Sequence, residues 1–201
     1  MMSSLLSFRA PFILASQSPR RRALLEQVHA SFSVEVSPAD ETLAEPGPPP
    51  ETAQALADKK ATPVAQAHPD ALVLAADTIV IHDGTILEKP NSAEEAAAML
   101  HRLSDTTHSV YTGLALHHSS SDRAVTVGEE TRVSFAPLRT EDIDAYVASG
   151  SPMDKAGGYG IQDHTAPFFV ERLHGDYYNV VGLPLRRLYT TLWDEFGDLL
   201  T

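Results

Sequence analysis

Three consecutive arginines follow a turn of small residues near the N-terminus of this chain. Residues 14–25 read LASQSPRRRALL, where an apolar run breaks into a turn and a helix starts at Pro19. A helix N-terminus presents unpaired N–H groups and a positive dipole end, both of which suit phosphate. Arg20 and Arg21 add planar guanidinium groups that match phosphate oxygens. The pattern therefore predicts a site for a compact polyanion, and a solvated basic helix face is the alternative.

An aspartate interrupts the most apolar strand pattern in the chain. Asp77 lies within AADTIV at residues 75–80. Because an unpaired buried carboxylate is costly, Asp77 either has a structural partner or lies at a strand end or bend facing a site. Lys89, twelve residues later, follows an Asp-Gly turn on the return arm of a hairpin. The hairpin places Lys89 at the same sheet edge as Asp77, unless it is an ordinary surface lysine.

Two further segments have side chains or backbone suited to a ligand. Asp40 and Glu41 precede a proline-rich loop at 44–50, and one of them paired with Asp77 would form a hard oxygen site for Mg²⁺ or Mn²⁺. The alternative is a polar loop. Residues 154–162 read DKAGGYGIQ, where glycines permit close approach of the backbone to a ligand, or form only a tight turn.

Composition limits the possible partners and reactions. The 201 residues carry a net charge of −12, which argues against a nucleic acid polymer but not against a mononucleotide. The chain has no cysteine, no P-loop, no G-x-G-x-x-G, no H-E-x-x-H and no G-x-S-x-G. We expect no signal peptide and no membrane span, and therefore a cytoplasmic protein. The histidines are interpreted as surface or satisfied residues.

The elements that must position these residues follow from hydrophobic periodicity. Strands are predicted at 12–15, 32–36, 71–81, 109–117, 124–135 and 168–172. Helices are predicted at 19–29, 51–67, 92–103, 140–149 and 184–196. Ser92 and Glu95 form a capping-box pattern. Because strands follow strands in the middle of the chain, the pattern predicts an α/β protein with a mixed sheet.

Seven motifs, in chain order, resemble those of the Maf family of nucleotide pyrophosphatases. They are LASQSPRRRALL, the pair Asp40-Glu41, LADKKA, AADTIV, LEKP, DKAGGYGIQ and GDYYNVVGLP, and they extend over residues 12 to 185. The resemblance implies one Maf-like domain over 1–201, with 1–10 as an N-terminal extension. It also implies a fold related to the inosine-triphosphate pyrophosphatases, an elongated mixed sheet with flanking helices and a nucleotide cleft between two lobes.

The same resemblance implies an activity. A family member is a hydrolase that cleaves a nucleoside triphosphate between the α and β phosphates, with a divalent metal, Mg²⁺ or Mn²⁺, and is often a cytoplasmic homodimer. The motifs ADT and KAGxYGIQ are similar to those of the subgroup that acts on dTTP and UTP. Two other functions remain as alternatives. One is a non-catalytic nucleotide-binding regulator linked to cell division, and the other is a phosphohydrolase that removes the terminal phosphate.

Residue roles come from the resemblance, position by position. Asp77 matches the general base that activates water, and its direct coordination of the metal stays open. Glu41 and Asp77 match the metal site. The positions that match substrate choice are Arg20, Thr78 and Gln162. The positions that match phosphate binding are Ser16, Arg21, Lys60 and Lys89. The Gln162 carboxamide presents one donor and one acceptor to uracil or thymine, although a flipped amide would also suit cytosine.

Overall fold

The computed structural model describes residues 6–40, 43 and 47–201. Contacts between Cα atoms divide the chain into two compact units. Unit 1 comprises Met1–Asp77, Thr112–Glu129 and Gly182–Thr201, and unit 2 comprises Thr78–Tyr111 and Glu130–Val181. No helix in the described part of the chain is both long and apolar enough to cross a membrane.

The strands of the described residues form a seven-stranded mixed sheet, which confirms the predicted α/β class. The strands are β1 Phe12–Leu14, β2 Ser33–Val34, β3 Leu72–His82, β4 Thr85–Leu87, β5 Thr107–His118, β6 Arg123–Phe135 and β7 Val170–His174. The hydrogen-bonded order is β2-β1-β3-β5-β6-β7, and β4 pairs with β3 outside this path. The long strands β3, β5 and β6 contribute residues to both units.

Helices connect these strands. The α-helices of the described residues are α1 Pro19–Gln27, α2 Pro49–Ala67, α3 Ala93–Leu103, α4 Thr140–Ala148, α5 Ala166–Phe169, α6 Tyr177–Val181 and α7 Leu185–Phe196. Short 3₁₀ turns lie at Ser119–Ser121, Ser151–Asp154, Ala156–Gly158 and Gly197–Leu199. The first helix starts as predicted, because Ser18 accepts a bond from the N–H of Arg21 and Pro19 needs no donor at the first helical position.

Unit 1 is built around a parallel strand pair. β1 pairs with β3 in the register Phe12↔Leu72 to Leu14↔Leu74, and with β2 on its other side. The core beneath these strands consists largely of small residues, with Ala57 and Ala61 of α2 buried among them. Small side chains let α2 pack closely against the sheet, which fixes where the polar residues of that helix lie. The terminal segments also pair, because the N–H of Arg9 donates to Leu199 and that of Thr201 to Ser7.

Unit 2 has an aromatic core. β3 and β4 form the predicted hairpin, and its turn residues Asp83 and Gly84 have φ of 48° and 71°, as a tight primed turn requires. Phe135 and Tyr159 pack edge to face with their centroids 4.8 Å apart. Tyr146 of α4 packs edge to face on Phe169 at 5.4 Å. Residues 154–162 therefore rest on large, rigid side chains.

Asp77 is the sixth of eleven residues in β3, so of the two alternatives predicted for it the strand end or bend does not apply. Several predicted boundaries differ from the structure. The strand predicted at 168–172 begins at Val170, because the preceding residues form α5. Helix α6 was not predicted, since five residues carry too little periodicity to reveal a helix. Ser92 caps α3 as predicted, but the Glu95 carboxylate accepts from the N–H of Asn91 at 2.8 Å, which leaves the capping box half formed.

One histidine departs from the surface-or-satisfied interpretation. His108 is 2% exposed and its Nε2 shares a 2.7 Å hydrogen bond with the Tyr159 hydroxyl. Its Nδ1 has no hydrogen-bond partner among the described residues. Burial, with a smaller contribution from the nearby His82, lowers the pKa of His108 to about 3, so this imidazole is neutral in the folded protein.

Candidate functional site

The turn after β1 holds Arg21 in a defined place. Its Nη1 donates to the Ser16 hydroxyl at 3.2 Å, and its Nε donates to the carbonyl of Gly182 at 2.9 Å. Ser16 also accepts a bond from the N–H of Ser18 at 3.2 Å. These bonds lie within unit 1, and they bring together the predicted phosphate-binding residues Ser16 and Arg21.

The other two arginines of the turn differ from each other. Arg20 is half-buried, whereas the Arg22 side chain is 63% exposed and forms a 2.8 Å surface ion pair with Glu26 one helical turn later. An exposed pair of this kind contributes little to stability. The three arginines therefore have different surroundings. Arg21 is anchored by bonds to Ser16 and Gly182, whereas Arg22 lies on the solvated face of α1.

Asp77 has a buried cationic partner. Its Oδ1 accepts a 2.7 Å bond from the ammonium group of Lys60, and the two side chains are 13% and 11% exposed. Lys60 comes from α2 and Asp77 from the middle of β3, and both belong to unit 1. A charge taken out of water needs such a partner, so the structure supports the partnered reading of this aspartate.

The Ser16–Arg21 turn follows β1, and Asp77 lies on the neighbouring strand β3. The N–H of Ala15 donates to Leu74, which extends the parallel β1–β3 ladder by one residue beyond Leu14. Ser16 is the next residue on one strand, and Asp77 lies three residues after Leu74 on the other. Neighbouring strands are spaced by about 5 Å. The Ser16–Arg21 turn and the Lys60–Asp77 pair therefore lie side by side at the carboxyl end of β1.

Three other predicted site residues belong to unit 2. Thr78 is half-buried in β3, Lys89 is exposed just after β4, and Gln162 is exposed after the glycine-rich segment. A 3.1 Å backbone bond from the N–H of Gly157 to the carbonyl of Glu88 joins the glycine-rich segment to the residue before Lys89. The segments carrying Lys89 and Gln162 are thus connected within this unit.

Sequence reasoning missed a polar network in the same unit. The Tyr146 hydroxyl donates to Asp163 Oδ2 at 2.6 Å and accepts from the N–H of Gly160 at 3.1 Å. The Lys155 ammonium lies 2.7 Å from Asp154 Oδ1 and 3.6 Å from Asp163 Oδ2. Lys155 belongs to the glycine-rich motif, so its charge was visible in the sequence. Tyr146 lies on a separate helix, and no spacing rule connects it to Asp163.

Burial keeps the hydroxyls of two tyrosines protonated: Tyr146, which packs against the glycine-rich segment, and Tyr159, which belongs to it. Burial, reinforced by the bond to Asp163, raises the pKa of Tyr146 well above its ordinary value. Burial likewise raises the pKa of Tyr159. Both hydroxyls therefore stay protonated and keep a hydrogen to donate at every pH where the protein works.

The predicted metal site can be tested only in part. Glu41 lies outside the described residues, and the described residues contain no cluster of three or more His, Cys, Asp or Glu side chains. Asp77 is the described member of the predicted pair. Mg²⁺ is typically held by one or two carboxylates together with substrate phosphates and water, so the Asp77 carboxylate supplies one donor of the kind that Mg²⁺ prefers.

A cavity in unit 1 lies away from these residues. It has a volume of about 490 Å³ beside α2 and is lined by Pro38, Ala39, Asp58, Lys59, Thr62, Pro63 and Gln66. None of the predicted site residues in the described part of the chain lines it. The buried ion pair and the anchored arginine mark the candidate site more strongly than this open groove does, because they hold charge in fixed positions.

Sequence relatives cover nearly the whole chain. The dTTP/UTP pyrophosphatase of Salinibacter ruber is 63% identical over 199 residues, which are 99% of this chain and 98% of the relative. The dTTP/UTP pyrophosphatase of Bacillus cytotoxicus is 50% identical over 181 residues, 90% of this chain and 93% of the relative. A HAM1 protein structure from Coxiella burnetii covers 92% of this chain and 99% of its own, at 18% identity and a TM-score of 0.48, a likeness that carries no weight here.

The family assignment comes from a match over most of the sequence. The family model of the Maf-like proteins matches residues 11–195, a span that includes every predicted site residue. Together with the relatives at 63% and 50% identity, this match confirms the resemblance carried by the seven motifs. This chain belongs to the Maf family.

Proposed function

We propose that this chain is a nucleoside triphosphate pyrophosphatase that hydrolyses dTTP and UTP to the monophosphate and pyrophosphate. The relatives named for this activity cover at least 90% of the chain at 50–63% identity, which supports the proposal. The observation that carries it in the structure is the buried Lys60–Asp77 ion pair beside the anchored Arg21. A carboxylate and several cations in fixed positions are what phosphoanhydride hydrolysis requires.

The chemistry assigned to unit 1 follows from charge. A nucleoside triphosphate carries about four negative charges, which repel an attacking water. Asp77, paired with Lys60, accepts the proton of the water that attacks the α-phosphorus. The bond from that phosphorus to the bridging oxygen then breaks, and pyrophosphate leaves. Arg21, Lys60 and Ser16 stabilise the phosphate oxygens, and each charge-assisted bond is worth about 1.5–3 kcal/mol.

Roles in unit 2 rest on the family resemblance. Lys89 is proposed to bind phosphate, and Thr78 and Gln162, together with Arg20 of unit 1, are proposed to select the substrate. Gln162 is exposed and its carboxamide presents both a donor and an acceptor, which supports a role in reading a base.

We also propose a divalent cation, Mg²⁺ or Mn²⁺, as cofactor, with Glu41 and Asp77 at its site, where Asp77 serves as the general base. When bound, such a cation neutralises phosphate charge and polarises the α-phosphate. Chelation with EDTA is expected to abolish pyrophosphate release, and added Mg²⁺ or Mn²⁺ to restore it. Activity that is indifferent to EDTA would remove the metal from the proposal.

The decisive assay measures both products. Purified protein is incubated with dTTP, UTP, CTP, ATP and GTP, and pyrophosphate and orthophosphate are measured separately. Pyrophosphate from dTTP and UTP is expected. Orthophosphate alone would instead indicate removal of the terminal phosphate, and binding without either product would indicate the regulator linked to cell division.

A homodimer is proposed on the family resemblance alone. Sedimentation equilibrium of the purified protein tests it, with a mass of about twice the 21.8 kDa chain expected. A single species at the mass of one chain, over the micromolar range, would contradict it.

A further inference from the structure

Asp163 gathers polar hydrogens from three side chains. Its Oδ2 accepts from the Tyr146 hydroxyl at 2.6 Å and lies 3.6 Å from the Lys155 ammonium. Its Oδ1 accepts a long, 3.3 Å bond from Nε2 of Gln162. The Asp163 and Lys155 side chains are 14% and 11% exposed, whereas Gln162 is exposed. A shielded carboxylate therefore holds one end of an amide whose other end faces outward.

Gly160 has no side chain, which gives the Lys155, Gln162 and Asp163 side chains space to approach one another. A Cβ at that position would lie 2.7 Å from Cε of Lys155, 2.8 Å from Nε2 of Gln162 and 2.9 Å from Oδ1 of Asp163. All three distances are shorter than real Cβ contacts. The Gly160 N–H also donates to the Tyr146 hydroxyl. The three side chains thus meet directly above Gly160, and a Cβ there would displace their ends.

The chemistry of a carboxylate dictates how the amide must point. An ionised carboxylate only accepts hydrogen bonds, so the NH₂ group of Gln162 and not its carbonyl must face Asp163. Oδ2 of Asp163 already accepts from the Tyr146 hydroxyl and faces the Lys155 ammonium, so Oδ1 is the atom that the amide meets. The carbonyl of Gln162 is therefore turned away from Asp163, and one N–H remains beside it.

We propose that Asp163 is a positioning residue that holds the Gln162 carboxamide in one orientation and thereby separates uracil and thymine from cytosine. The inference rests on the proposed function, in which Gln162 reads the base. Uracil and thymine present an N3–H donor beside an O4 acceptor, whereas cytosine presents an N3 acceptor beside an N4 donor. An amide that rotates freely matches both patterns, and an amide held by a carboxylate matches only one.

The test is the substitution Asp163→Asn. Asparagine has nearly the same shape, but it both donates and accepts, so it tolerates either orientation of Gln162. The ratio of kcat/KM for UTP over CTP, and for dTTP over dCTP, is expected to fall about tenfold, the scale of one hydrogen bond. Gln162→Ala gives the ratio without an amide. A ratio in Asp163→Asn equal to that of the parent protein overturns the inference.

Asp154→Asn is the matched control. Asp154 contacts the same ammonium at 2.7 Å, so its substitution removes one negative charge from the same lysine. The base ratio is expected to stay at the parent value. An equal fall in both variants means that lost charge, not the held amide, sets the ratio, and this result also overturns the inference.

A second variant tests the inference if the first does not fold. If Asp163→Asn does not fold, Tyr146→Phe replaces it, because loss of the 2.6 Å bond frees Asp163 and the ratio is expected to fall severalfold. An unchanged ratio in folded Tyr146→Phe then overturns the inference.

If the parent protein releases no pyrophosphate from any triphosphate, the proposed function itself fails. If it releases pyrophosphate equally from UTP and CTP, only the role of Asp163 fails.

Discussion

The two units fix their functional side chains by different means. In unit 1 the site contains a 2.7 Å ion pair between Lys60 and Asp77. It also contains the guanidinium of Arg21, which is bonded to the carbonyl of Gly182. In unit 2 the glycine-rich segment is held by the hydroxyls of Tyr146 and Tyr159, which donate or share bonds from an aromatic core. The site of unit 1 is held by charged groups, whereas in unit 2 bonds from neutral hydroxyls act beside the contact of Lys155 with Asp163.

This difference matches the two tasks that a nucleotide sets. A triphosphate is a polyanion whose attraction to cations is strong and weakly directional. A base is a neutral plane whose identity lies in the order of its donors and acceptors, so its reader must be oriented. Changes at Asp77 are therefore expected to alter turnover, and changes at Gln162 or Asp163 to alter selectivity.

The largest effect is expected from Asp77→Asn. The amide oxygen still accepts from Lys60, so the fold is retained, but no base remains to take a proton from water. Turnover with UTP is expected to fall by about 10²- to 10⁴-fold, measured as pyrophosphate release at saturating substrate.

Asp58→Asn is the control for that experiment. Asp58 also belongs to unit 1 and forms a 2.8 Å ion pair, with His117, but it has no role in the proposed chemistry. Its turnover is expected to stay within about twofold of the parent value, an ordinary result for a surface substitution. Turnover near the parent value in Asp77→Asn would show that the charged region does not supply the base.

A second effect concerns stability in the charged region. Lys60→Met keeps the alkyl chain but leaves the Asp77 carboxylate without its buried partner. The free energy of unfolding is expected to fall by about 3 kcal/mol, measured by urea denaturation. The double variant with Asp77→Asn is expected to recover part of this loss, because no unpaired charge remains. Strictly additive losses would mean that the two groups do not interact.

The smallest effect concerns how the free energy of unfolding depends on pH through His108 in unit 2. Because the folded pKa of His108 is about 3 and the unfolded value is about 6.5, its contribution to stability is complete above pH 6.5 and is lost as pH falls toward 3. Between pH 6.5 and 5 the loss is about 2 kcal/mol. His108→Gln is expected to flatten the dependence of unfolding free energy on pH over that interval.

His101→Gln is the control for the pH experiment. His101 lies on the exposed face of α3, so its substitution leaves the buried aromatic core of unit 2 unchanged. Its stability profile is expected to follow that of the parent protein. A slope that His108→Gln leaves unchanged between pH 6.5 and 5 would assign the pH dependence to other groups.

The sequence predicted features that depend on neighbouring residues. The β3 strand, the helix start at Pro19 and the Asp-Gly turn all follow from local periodicity or local hydrogen bonds. The Maf motifs also located Asp77 and Lys60 as candidates. Their pairing was not predicted, because it depends on how α2 packs on the sheet, and seventeen residues separate them in the chain.

Features that depend on tertiary packing escaped prediction. The contact of Tyr146 with Asp163 joins two segments of unrelated pattern, and short α6 gives no periodic signal. The burial of His108 came from the aromatic residues around it rather than from its own strand. Glu41 lies outside the described residues, so its proposed role as a metal ligand stays a prediction.

The pairing of the terminal segments has a practical consequence. Arg9 and Ser7 bond to Leu199 and Thr201, so the two ends of the fold are neighbours in unit 1. A short linker would join them into a ring, and new ends can be opened at an exposed turn such as Ser119–Ser121. Such a circularly permuted protein would offer attachment points for a fluorophore or a surface at that turn.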